Sequence, residues 1–145
     1  TIARGSAIRL AEPAGELGIA EGIETALAAS RLHTVPVWAC LTEGLLQTWE
    51  PPPQIEKVII FGDNDINFVG QSAAYALAKR LVRQGKSVEV RIPESVKDWN
   101  DVLQQESEVI EHRGSTPITQ TVPAGGPNHS RQPGSPETGV NNGVL

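Results

Sequence analysis

The run Val58-Ile59-Ile60-Phe61 constrains this chain more than any other stretch. Four apolar residues in a row, set after the helix-breaking Pro51-Pro52-Pro53, predict a buried strand of a parallel sheet. The run stops at Gly62. Two carboxylates then follow one residue apart, Asp63 and Asp65. In open α/β sheets the ligand crevice lies outside the carboxyl ends of the strands, so the pair is expected at the rim of such a crevice. Two anions this close repel unless a proton or a cation lies between them. A hard divalent cation bound by oxygen is the natural partner. The competing reading is a strand-to-helix turn in which Asp65 caps the next helix. The spacing alone leaves both open.

The rest of the chain supplies the neighbours such a strand needs. Ala7 to Leu10 is a short candidate strand, followed by a turn. Leu17 to Ala20 is a second, ending on Glu21-Gly22. An Ala-rich helix is predicted from Ile23 to Leu32, with Ile23, Ala26, Leu27 and Ser30 at helical spacing. Val35 to Leu41 reads as a strand with Pro36 near its start, where a missing donor is tolerated. Thr42 should cap a short helix from Glu43 to about Trp49. Beyond Asp65, a helix from Gln71 to about Gln84 shows Ala73, Ala74, Leu77, Ala78, Leu81 and Val82 on one face and a stop at Gly85. Ser87 to Ile92 alternates as a last strand, and Asp98 opens a final helix that fades near His112. Alternating strands and helices predict an α/β fold, a mostly parallel sheet of about four strands with helices on both faces.

Residues 1–112 therefore read as one domain, and 113–145 as a disordered tail or linker. From Gly114 onward Gly, Pro, Ser, Thr and Asn dominate, with Arg131 and Glu137 the only charged side chains. Such a segment buries too little apolar surface to offset the entropy of ordering it.

Acids stand after three of the predicted strands: Glu21, the Asp63/Asp65 pair, and Asp98 with Asp101. In a parallel sheet these ends share one edge, so acids distant in sequence can converge on a metal. The alternative is that each acid caps its own helix and favours the positive end of the helix dipole.

These stretches resemble the motifs of the Toprim family. Ile19-Ala20-Glu21-Gly22-Ile23-Glu24-Thr25-Ala26 resembles its first motif, a Glu-Gly pair after a strand. Phe61-Gly62-Asp63-Asn64-Asp65, with Gly70 and Ala73-Ala74 beyond, resembles its Asp-x-Asp motif. Lys97-Asp98-Trp99-Asn100-Asp101 resembles the third acidic motif as it occurs in phage and bacterial primases. The resemblance covers about Ala7 to Leu103 and looks closest to the primases of plasmids, phages and integrative elements. It implies a Rossmann-like fold with Glu21 as general acid/base, Asp63 and Asp65 as a Mg²⁺- or Mn²⁺-binding pair, Asp98 as the third acid and Asp101 as an additional one. It implies a DNA primase domain that joins nucleoside triphosphates into RNA primers on single-stranded DNA. The family also contains nucleases and topoisomerases, and a non-catalytic metal- or nucleotide-binding module is the other alternative. A topoisomerase needs a tyrosine; Tyr75 is the only one and falls within a predicted helix, where packing explains it.

Composition narrows the partners. The net charge of −5 argues against a whole-surface grip on nucleic acid. Lys79, Arg80, Arg83 and Lys86 form the one local basic cluster, a solvated helix face or a nucleic-acid contact. Cys40 is the single cysteine, so neither an internal disulfide nor a multi-cysteine zinc site is encoded. The three histidines are scattered, and the three tryptophans read as packing residues. No apolar run is long enough to span a membrane, which makes a cytoplasmic setting the expectation. The first residue is Thr1 and Met is absent, as in a segment of a longer protein. In that parent, template binding is expected mainly through other domains, among them a zinc-binding module and a helicase.

Overall fold

The computed structural model describes residues 5–114. Four strands form one parallel sheet: β1 (Glu16–Ala20), β2 (Val37–Ala39), β3 (Lys57–Phe61) and β4 (Ser87–Arg91). Their order across the sheet is β2-β1-β3-β4. Between and after them run the helices α1 (Ile23–His33), α2 (Glu43–Thr48), α3 (Val69–Arg83) and α4 (Trp99–Gly114). The α/β architecture is the one predicted from the alternation of strands and helices.

The apolar run Val58-Ile59-Ile60-Phe61 lies in the inner strand β3 and is fully buried. Its residues alternate between two cores. Val58 and Ile60 join Leu17 and Ile19 of β1 beneath α2 and α3, where Leu46, Trp49, Ala73, Ala74, Leu77 and Leu81 close over them. Ile59 and Phe61 face the other way, with Ala20, Val37 and Ala39, toward α1 and α4. Gly18 makes this second layer thin. A Cβ there would stand 2.7 Å from Val37 Cγ2 and 2.9 Å from Phe61 Cε2, so the Phe61 ring crosses β1 where a side chain is missing.

The connections leave β1 and β3 on opposite faces: α1 follows β1 on one side, α3 follows β3 on the other. The gap between these neighbouring strands is thus the topological switch point, where open α/β sheets hold their ligands.

Local chemistry explains several boundaries. Thr42 caps α2, its hydroxyl accepting from Leu45 N at 3.3 Å. Gly85 takes φ +84 just beyond α3, and its N–H reaches Val82 O at 3.0 Å. α3 begins at Val69, two residues before its expected start, and α4 continues to Gly114, past the expected limit at His112. The remainder of the expected tail lies outside the described residues.

Three expectations are corrected. Ala7 to Leu10 is not a strand; Ile8 makes one isolated antiparallel bridge to Ala39. The Val35 to Leu41 strand shrinks to three residues in β2. Helix α1 buries Thr25, Ala26, Ala28 and Ala29, while Ile23 and Leu27 are exposed. The small side chains let α1 lie close to the sheet, a placement that a face bearing Leu27 would not allow.

Candidate active site

The loops at the carboxyl ends of β1 and β3 carry Glu21 and Asp63, one on each side of the switch point. Ala20 and Phe61 are register partners in β1 and β3, so the two acids follow paired residues. Asp63 is partly buried, and the Thr25 hydroxyl in the first turns of α1 donates to its Oδ1 at 3.3 Å. This contact joins a side chain of the first motif directly to one of the second. Burial raises the Asp63 carboxyl from 3.8 to about 6. The Asp98 carboxylate pushes the same way, as do Glu21 and Asp65, against the opposing pull of Thr25. Glu21 is also raised, first by burial, then by the charges of Glu43 and Asp65, with the Glu43 N–H opposing.

The stretch between Asp63 and Asp65 is fixed by its neighbours. Asn64 N donates to Lys97 O at 2.7 Å, tying the second motif to the third. Gln71 Nε2 donates to Asn64 Oδ1 at 3.0 Å and to Asp65 O at 3.1 Å. Gly70 packs directly beneath the pair; a Cβ there would lie 2.9 Å from Asp63 O and 3.1 Å from Asp65 Oδ2. Beside Asp65 opens a cleft of about 580 Å³, lined by Asn64 to Asn67 and by Ser95 to Lys97.

Two of the acids also carry the local role that the competing reading gave them. Asp65 Oδ2 accepts from Gly70 N at 3.3 Å in the first turn of α3. Asp98 caps α4, its Oδ1 accepting from Asp101 N at 3.0 Å. Asp101 thus enters this edge through its backbone. Among the described residues, no three of His, Cys, Asp and Glu form a group that could hold a metal between them. The expected convergence of Glu21, Asp63 and Asp65 on one ion is therefore not seen as a closed cage. The acids share an edge and feel one another's charge.

Other sequence expectations fall differently. Trp38, Trp49 and Trp99 are all buried, as packing residues. Cys40 is buried, its thiol pushed up to about 12 by burial and then by Glu21, and so inert. Arg80 does not face outward with the other cations. Its Nε donates to Gln47 O at 3.2 Å, and its two terminal nitrogens engage Trp49 O and the Glu50 carboxylate, so it closes the end of α2. Lys86 Nζ donates to Pro53 O at 3.1 Å. Lys79 and Arg83 are exposed. Tyr75 is exposed as well, so packing does not account for it. Thr25 and Gln71 were not foreseen as site residues. Thr25 had a signal, since it lies four positions beyond Glu21 and so follows the strand end by about one helical turn. Gln71 had none, because its partners are set by the loop's path.

The model of the Toprim domain family matches residues 16–108. The chain belongs to this family. Among solved structures it is similar to a DNA primase domain from Pseudomonas aeruginosa, at 16% identity and a TM-score of 0.45, over 68% of this chain and 32% of that one. The chain thus spans about a third of the length of that relative. No curated protein matches it. No helix among the described residues is long and apolar enough to cross a membrane.

Proposed function

We propose that this domain performs divalent-metal-dependent nucleotidyl transfer of the DNA primase type, as part of a larger replication protein. The observation that carries the reading is the joining of the three family motifs at the switch point of the sheet, Thr25 donating to Asp63 and Asn64 N to Lys97 O; burial first, and then carboxylates of all three motifs, raise the proton affinity of Asp63. The donor set is purely carboxylate, the chemistry of Mg²⁺ and Mn²⁺. Mg²⁺ in phosphoryl-transfer sites keeps several waters and takes one or two carboxylates plus substrate phosphates, rather than an all-protein cage. Acids that share an edge without enclosing an ion fit that mode. Asp63 and Asp65 would hold the ion, with Glu21 and Asp98 at its margin. Bound there, the ion would neutralise phosphate charge.

The chain's own residues supply the rest. Glu21 has the raised proton affinity suited to taking a proton from an attacking 3′-hydroxyl. Gly70 and Gln71 keep the Asp63–Asp65 stretch in place. The third motif, with its primase-like Lys97-Asp98-Trp99-Asn100-Asp101 sequence, favours primase over nuclease. A longer protein containing this domain should make primers from nucleoside triphosphates on single-stranded DNA. Glu21→Gln or Asp63→Asn should abolish that activity while leaving the circular dichroism spectrum unchanged. The isolated chain should bind Mn²⁺ and, weakly, nucleoside triphosphates, and make little primer. Metal-dependent DNA cleavage lost in Asp63→Asn would instead assign the site to a nuclease.

A further inference from the structure

Helix α3 carries three cations, Lys79, Arg80 and Arg83, and no acid, in a chain whose net charge is −5. Its inner face is accounted for by Ala73, Ala74, Leu77 and Leu81 in the core. Its outer ridge is not. Phe68, Ser72, Tyr75, Lys79, Val82 and Arg83 recur at helical spacing and all are exposed. Phe68 is 69% exposed, and Tyr75 and Val82 are each 58% exposed. Two aromatic rings at the start of the ridge are therefore followed by two cations along one solvent face.

The ridge also has a direction. It starts at Phe68, three residues after Asp65, and descends roughly 22 Å along the helix away from the acidic edge. Phe68 sits at φ +60, in the left-handed region that disfavours a bulky residue. Its backbone N–H donates to Asp65 O at 3.0 Å, so the residue is anchored within the acidic loop, two positions after Ile66, which is 98% exposed. Nothing in the packing of the domain explains an aromatic and an aliphatic side chain displayed at that place. Arg80 is excluded from the ridge because it closes α2.

We propose that this ridge of α3 is a track for single-stranded nucleic acid, with bases stacked on Phe68 and Tyr75 and phosphates paired with Lys79 and Arg83. Rings that accept any base, continued by cations that pair with the backbone, are the elements of sequence-tolerant single-strand binding. The track leads a strand end to the acidic edge, and in that respect it rests on the phosphoryl-transfer reading. The strand contact itself stands without it, because none of its residues is one of the acids.

The test is titration of the isolated chain with an oligothymidylate at low salt, followed by amide shifts and fluorescence anisotropy. Binding is weak, given the net charge. Amides of residues 68–83 should move. Phe68→Ala and Tyr75→Ala should each weaken binding at least about fivefold, the lower end of a lost base stack. Lys79→Gln combined with Arg83→Gln should flatten the slope of log affinity against log salt by about 1.4. All four side chains are exposed, and unchanged thermal melts will confirm that the variants fold. Asp63→Asn should retain strand binding whatever happens to metal binding, which separates failure of the track from failure of the catalytic reading. Shifts confined to another surface, or unaltered affinity in both aromatic variants, would overturn the proposal. Shifts of the same residues that depend on protein concentration without DNA would overturn it too, and would make the ridge a contact between copies of the chain.

Discussion

Asp63 is a carboxyl group whose surroundings favour its proton. In the folded chain it holds that proton up to about pH 6, against 3.8 for an ordinary aspartate. Between these values the folded state binds more protons than the unfolded one, so stability falls as pH rises through the window. With a discount for solvent at a partly buried group, the effect at neutral pH is about 1–2 kcal/mol. Asp63→Asn should therefore stabilise the metal-free domain by about that much at pH 7.5, and leave it no more stable near pH 4. Denaturant melts in a chelator will measure the difference between the two proteins at each pH. A net loss of stability at pH 7.5 would mean that the Thr25 hydrogen bond outweighs the repulsion. The sequence announced Asp63 because acids after apolar runs stand out. It did not announce Thr25 or Gln71, whose roles depend on where a neighbouring helix or loop brings them.

At the scale of the element, period was legible and phase was not. Helix α3 shows a strong apolar stripe, and four of its six predicted core residues are fully buried. Helix α1 is rich in alanine, so its two sides differ little in hydropathy, and the exposed Leu27 misleads. Arg80 read as a surface cation because its partners, the last carbonyls of α2, lie about thirty residues earlier. Arg80→Ala should leave those carbonyls without their donor and cost about 1–3 kcal/mol in a thermal or denaturant melt. Lys79→Ala, on the open ridge, should stay within about 0.5 kcal/mol of the parent. Gly18→Ala tests the sheet itself. The added methyl meets Val37 and Phe61 inside van der Waals distance, and overpacking of this kind costs about 1–3 kcal/mol. If the variant melts like the parent, Phe61 is free to move and the layer between β1 and α1 is looser than the contacts indicate.

Across the whole molecule, the parallel order places long-range pairing at the centre. β1 and β3 each have a strand on both sides, whereas β2 is three residues long and β4 is only half-buried. Amide hydrogen exchange should be slowest in Leu17 to Ala20 and Val58 to Phe61, and faster in β4. Equal protection across all four strands would show that the sheet opens only by global unfolding. The strand order has a further consequence at the switch point. Glu21 stands before the exposed turn at Pro53-Gln54, and Asp63, Asp65 and Asp98 stand after it. A chain opened at that turn would divide into one piece bearing β1 and β2 and another bearing β3 and β4, each with part of the acidic edge. Neither piece alone would retain the charge environment that shifts Asp63. Mixed, the two would regain it only by pairing β1 with β3, so recovery would follow the product of their concentrations. The domain is thus built as two complementary halves, and its chemistry would be born at the seam where they meet.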